Sequence, residues 1–166
     1  ETKPREQGVK NGSLDMAMFS SASESKQMGA LLKNKNLTSL LQGPDHYPWI
    51  WFNQRVAPFN NVDARLAFAY AMNREQFVKV RQKGIPAVVP DSIVGPNNVM
   101  YNKAGFTKFD LAKAKEHAAK YKAATGKDIA AVFPYTAGST ESLANATLIK
   151  QYAEAAGIQL TLLPQT

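Results

Sequence analysis

Apolar and polar positions along this chain change period several times, and the clearest change lies between His46 and Gly84. There Tyr47, Trp49, Trp51 and Asn53 alternate with Pro48, Ile50 and Phe52, the period-two pattern of a strand with large side chains on both faces. Such a strand is expected to be well buried. Pro58 ends the alternation, because proline cannot donate to a ladder. Asn60 or Asn61 then caps a helix whose apolar positions are Val62, Leu66, Ala69, Tyr70 and Met72. Asn73 with Gln76 three residues on reads as a capping box for a second helix, closed by Gly84.

Before this stretch, Pro4 to Lys10 is a short polar helix ending near Asn11 and Gly12, and Leu14 to Phe19 is a compact apolar strand. Ser21 with Glu24 forms a capping box for a helix carrying Met28, Leu31 and Leu32. Leu37 to Leu41 is a short strand, and Gly43-Pro44-Asp45 a turn. Residues 85 to 107 hold too many prolines, glycines and asparagines for regular structure. Their apolar residues Val88, Val89, Ile93, Val99, Met100, Tyr101 and Phe106 predict a packed, extended loop.

The last third reads helix, strand, helix, strand. Asp110 caps a lysine-rich helix with the apolar stripe Leu111, Ala114, Ala118 and Tyr121, which Gly126 ends. Ile129 to Tyr135 is a strand. Gly138 to Glu141 starts a helix with the stripe Leu148, Tyr152 and Ala155, ended by Gly157, and Ile158 to Leu163 is the final strand. Helices between strands imply crossovers, hence parallel pairs in a sheet covered by helices. The fold class is α/β, a mixed sheet flanked by helices.

At 166 residues the chain is long enough for a sizeable core. Cysteine is absent, which removes disulfides and thiolate metal sites. No stretch approaches the ~20 apolar residues of a membrane span. The net charge of +7 collects partly in Lys103, Lys108, Lys113, Lys115, Lys120, Lys122 and Lys127. No helix-turn-helix, aromatic nucleic-acid motif or zinc spacing accompanies it, so a solvated helix face is the first reading and no nucleic-acid partner is expected.

Catalytic templates find nothing to hold: there is no G-x-S-x-G, phosphate-cradling loop or H-E-x-x-H, and no enzyme, cofactor or metal is expected. His46 and His117 have no carboxylate or second histidine at metal-ligand spacing and read as surface or satisfied histidines. Trp49 and Trp51 offer flat faces to a sugar, a peptide side chain or a cation. The same rings on a strand ahead of an amphipathic helix also read as core, Trp51 more than Trp49.

These residues carry a resemblance. Trp51-Phe52-Asn53, Pro58-Phe59-Asn60, Val62, Arg65, Ala67, Tyr70-Ala71 and Asn73-Arg74-Glu75 resemble, in that order, the signature of the family 5 extracellular solute-binding proteins. Gly12-Ser13-Leu14-Asp15 and Gly84-Ile85-Pro86-Ala87 resemble flanking motifs, as do Phe109 to Ala114 and Ala156 to Leu160. Asn61, Asp63 and Asn73 depart from the usual residues, each as a cap or surface change.

The resemblance implies one lobe of a two-lobed, periplasmic-binding-protein-like fold. Residues 1–166 would be a single α/β domain, most of the second lobe, with the first lobe, the C-terminal return and the export signal elsewhere in a longer protein. It further implies capture of a small polar ligand, an oligopeptide first, for import by ABC permease subunits. The location would be extracytoplasmic, periplasmic or on a cell-surface lipoprotein, with membrane contact only through the permease or an anchor outside this segment. The loop after the second helix lies near the cleft in the family, which makes Asp91 and Ser92 candidate ligand residues beside Trp49 and Trp51; Pro90-Asp91-Ser92 also reads as a plain turn. Arg65 is expected to be structural, held by an acidic partner. A stand-alone interaction domain and a nucleic-acid-binding module are the other classes, the first predicting an exposed apolar patch and the second a steep loss of affinity with salt.

Overall fold

The computed structural model describes residues 2–19, 24–40, 49–81, 89–103 and 105–166. The chain divides into two compact units, one of Glu1–Pro44 with Glu75–Val89, the other of Asp45–Arg74 with Pro90–Thr166. The first unit holds helices α1 (Thr2–Asn11) and α2 (Ser25–Leu32) and all but the first residue of α4 (Arg74–Arg81). The second holds α3 (Val62–Ala71), α5 (Leu111–Thr125), strand β1 (Ala130–Thr136), α6 (Thr140–Ala155) and β2 (Gln159–Gln165).

In the first unit the Arg5 guanidinium joins the two helices by pairing with Glu24 and the Met18 carbonyl and lying over the Phe19 ring. Glu24 is the residue before α2 but makes no capping bond of its own side chain. The proposed partner in that capping box, Ser21, lies outside the described residues, as do His46, Tyr47, Pro48, the Gly43–Asp45 turn and Gly84. Gly8 is required by close approach: a Cβ there would come within 2.7 Å of Leu14 Cδ1.

The second unit is built around β1-α6-β2. The two strands pair in parallel, Ala130 opposite Gln159 through Thr136 opposite Gln165, and α6 provides the crossover that parallel pairing demands. Three local codes set these boundaries. The Asp110 carboxylate accepts from the Lys113 amide at 3.0 Å and starts α5, and Gly126 ends it in the left-handed conformation at φ 73°. Ser139 accepts from the Ser142 amide at 3.1 Å and starts α6. The core joins Ala64, Ala67, Phe68 and Ala71 of α3 with Ala114 and Tyr121 of α5, Ala153 of α6, and Ile129, Ile158 and Leu160. So many alanines let the helices approach closely.

Several expected elements are corrected. Leu14 to Phe19, the described part of Leu37 to Leu41, and Trp49 to Asn53 form no strand. No neighbouring strand runs beside them among the described residues, so they have no ladder and bond locally instead, the Leu14 amide donating to the Gly8 carbonyl and the Leu37 amide to the Asn34 carbonyl. Met16, Met18 and Leu40 are accordingly exposed, and the loop at 89–103 leaves Ile93, Val99 and Met100 in solvent instead of packing them. The buried face of α3 is Ala64, Ala67, Phe68 and Ala71, not the stripe from Val62, and α6 buries Ala146 and Ala153 while Ala155 stays exposed.

Candidate functional site

The segment before α3 keeps its alternation without becoming a strand. Ile50 and Phe52 turn inward onto the core, where Phe52 meets Phe59 at a centroid distance of 4.5 Å and Phe68 at 5.3 Å. Successive side chains of an extended chain point to opposite sides. Trp49 and Trp51 therefore face away from that anchor, 50% and 81% exposed, and touch each other edge to face at 5.7 Å. The core reading of Trp51 is overturned: an extended backbone with one face anchored must present the other.

The turn into α3 is fixed by short-range bonds. The Asn53 side chain accepts from the Arg55 amide, Asn61 accepts from the Asp63 amide at 2.7 Å, and Arg65 donates to the Phe59 carbonyl at 2.7 Å. Arg65 is thus structural as expected, but a backbone carbonyl takes the place of the expected acidic partner. Asp63, freed from capping, meets His117 of α5 at 2.8 Å, and the His117 ring stacks on Tyr70 at 5.6 Å and 5°. His117 is a satisfied histidine holding α3 to α5.

Asp91 and Ser92 lie in the irregular 89–103 loop. The Tyr101 hydroxyl sits 3.0 Å from both Asp91 oxygens and donates into that carboxylate. Ser92 is buried, while Asp91 is partly exposed. The tryptophan pair and the Asp91–Tyr101 pair are each held by their own contact. Two shallow depressions open elsewhere, one lined by Asp128, Lys150, Glu154 and residues 157–161, the other by Ala57, Asn60, Asn61, Tyr121, Thr125 and Lys127, and neither includes a candidate residue. Tyr101 as the partner of Asp91 was not legible in advance, since nothing in a ten-residue separation across a breaker-rich loop marks the pair. Arg74 is similarly a tertiary feature: it donates to the Thr107 carbonyl at 2.5 Å and lies over Phe106, and its burial pushes the guanidinium down from its ordinary value. Among the described residues no three His, Asp or Glu side chains converge as metal ligands, and no helix is long and apolar enough to cross a membrane.

The family profile described as "Bacterial extracellular solute-binding proteins, family 5 Middle" matches residues 1–166. The chain belongs to this family. It is a family of binding proteins that work outside the cell. No curated protein matches the sequence. Among solved structures, AppA from Clostridium difficile is similar with a TM-score of 0.78 and 24% identity, over 98% of this chain and 33% of its own. The ABC transporter-associated periplasmic binding protein DppA from Helicobacter pylori, in complex with the peptide STSA, is similar with a TM-score of 0.72 and 22% identity, over 99% of this chain and 31% of its own. NikZ from Campylobacter jejuni, in complex with Ni(L-His), gives 0.71 and 17%, over 99% and 34%. The chain therefore spans about a third of the length of these proteins, and the shared fold is the α/β lobe architecture expected above.

Proposed function

We propose that this chain is part of the substrate-binding component of an ABC import system, which captures a small polar ligand between two lobes and hands it to membrane permease subunits. The observation that carries the reading is the family match over residues 1–166. The protein would act without catalysis, in the periplasm or as a cell-surface lipoprotein, and residues 1–166 would form most of its second lobe. An oligopeptide is the first ligand class, as in the DppA complex; a nickel chelate is the alternative within the same scaffold.

The site residues follow from chemistry. Exposed Trp49 and Trp51 supply flat apolar faces for side chains or cations. Asp91, oriented by Tyr101, supplies a carboxylate for an ammonium or amide donor, with buried Ser92 next to it in the chain. Ligand contacts from two lobes favour the closed state, so half of the contacts should bind weakly.

The test is calorimetric titration of the two-lobed protein with tetrapeptides and with nickel–histidine, alongside the 166-residue chain. Peptide affinity near ~1 μM or tighter for the whole protein and much weaker for the chain alone supports the reading. Micromolar affinity for the chain by itself would sink the two-lobe mechanism. The exposed Met16 and Met18 in one unit, and Val99 and Met100 in the other, favour a second reading, a stand-alone interaction domain. It would gain first place if no small ligand binds the whole protein.

A further inference from the structure

The charge of the chain is concentrated. Residues 103–128 hold seven lysines and three acids, a local +4 within a total of +7. Helix α5 arranges four of these lysines by its own period. Its buried side carries Ala114 and Tyr121 against α3. At about 3.6 residues per turn the opposite side is Ala112, Glu116, Ala119 and Ala123, and all four are exposed. Lys113 and Lys120 run along one flank of that strip, Lys115 and Lys122 along the other, each row spaced seven residues or about 10 Å. The result is an exposed strip of three alanines and Glu116, with ammonium groups along both flanks.

The acids do not cancel it. Lys113 meets Asp110 at 3.6 Å, Lys120 meets Glu116 at 2.7 Å and Lys122 meets Asp128 at 3.0 Å, with every partner substantially exposed. Hydrogen bonding to Glu116 raises the Lys120 ammonium above its ordinary value, keeping it charged. Exposed pairs of this kind are weak and exchange readily with other anions. Lys115 is exposed and pairs with no acid among the described residues.

From this the geometry points to a docking surface on α5 for an anionic phospholipid membrane. Four exposed ammonium groups spread in two rows along about 10 Å of helix complement a plane of negative headgroups better than a single ligand, and the alanines between them let the backbone approach that plane. The assignment is independent of the ligand site, and the extracellular family places such a surface within reach of a membrane's outer face. Each lysine near an anionic bilayer strengthens binding by about five-fold.

The experiment is flotation of the whole soluble protein with vesicles of phosphatidylcholine, with and without phosphatidylglycerol. Binding is expected only to the anionic vesicles, and its loss at about 1 M salt, where screening shortens to about 3 Å. Lys115→Glu with Lys122→Glu should weaken binding by at least about 25-fold. The same charge change placed on exposed Lys3 and Lys26 should leave it within about two-fold, as those lysines lie outside the face. Equal loss in both double variants would reduce the effect to net charge and overturn the proposal. So would equal binding to neutral vesicles. Retention on immobilised polyglutamate without vesicle binding, sensitive to Lys115 and Lys122, would assign the face to an acidic protein instead.

Discussion

Asn61 starts α3 with one side-chain oxygen on the Asp63 amide. Replacing it with alanine leaves an unpaired amide, and Asn61→Ala is expected to cost about 1 kcal/mol, read as a lower urea midpoint, while Asn61→Asp stays within a few tenths. Asp110 does the same for α5 and adds a pH dependence. Its hydrogen bond from the Lys113 amide, helped by the Lys113 charge, holds the carboxyl below its ordinary value. A depressed acid gives stability that is complete above the unfolded pKa of about 3.9 and is lost as pH falls through the lower folded value. The Lys113 amide should therefore lose exchange protection only at strongly acidic pH, and in Asp110→Asn, which caps without titrating, that acid step should vanish. These caps were legible because a cap is a local code of three or four residues. The Asp63–His117 bond was not: its partners stand fifty-four residues apart, and only the packing of α3 on α5 brings them together.

At the scale of elements, legibility followed self-sufficiency. The β1-α6-β2 unit supplies its own ladder, crossover and caps, so its element boundaries were read to within a residue or two, though the buried stripe of α6 was not. The three earlier apolar runs, of which the one before α3 was read from its period-two alternation, have no ladder partner among the described residues, and an apolar pattern alone does not make a strand. The wrong face of α3 has another cause. Alanine is a weak marker of burial in sequence, yet close helix packing selects it, and Ala64, Ala67 and Ala71 are fully buried while Val62 is 54% exposed. Enlarging the tight face should hurt: Ala67→Leu is expected to cost about 1–3 kcal/mol by overpacking, against about 0.5 kcal/mol or less for Val62→Ala. Equal thermal midpoints for the two variants would mean that the α3–α5 contact is looser than its geometry.

At the scale of the whole molecule, the alternation at residues 49–52 separates rings packed on the core from rings left exposed, since neighbours in sequence face opposite ways. Phe52 packs among Phe59 and Phe68, so Phe52→Ala should destabilise the fold by about 3 kcal/mol. Trp51 is 81% exposed, and Trp51→Ala should leave stability within about 0.5 kcal/mol. In the two-lobed protein the same substitution removes a flat apolar face, which should weaken peptide binding by about ten-fold if ligand lies against it. Measured side by side by thermal melting and calorimetric titration, the two variants divide the functions: one unfolds easily, the other folds normally and binds poorly. Unchanged affinity in Trp51→Ala would remove the ring from the ligand site, and the exposed tryptophan pair would then belong to contacts with another part of the assembled protein.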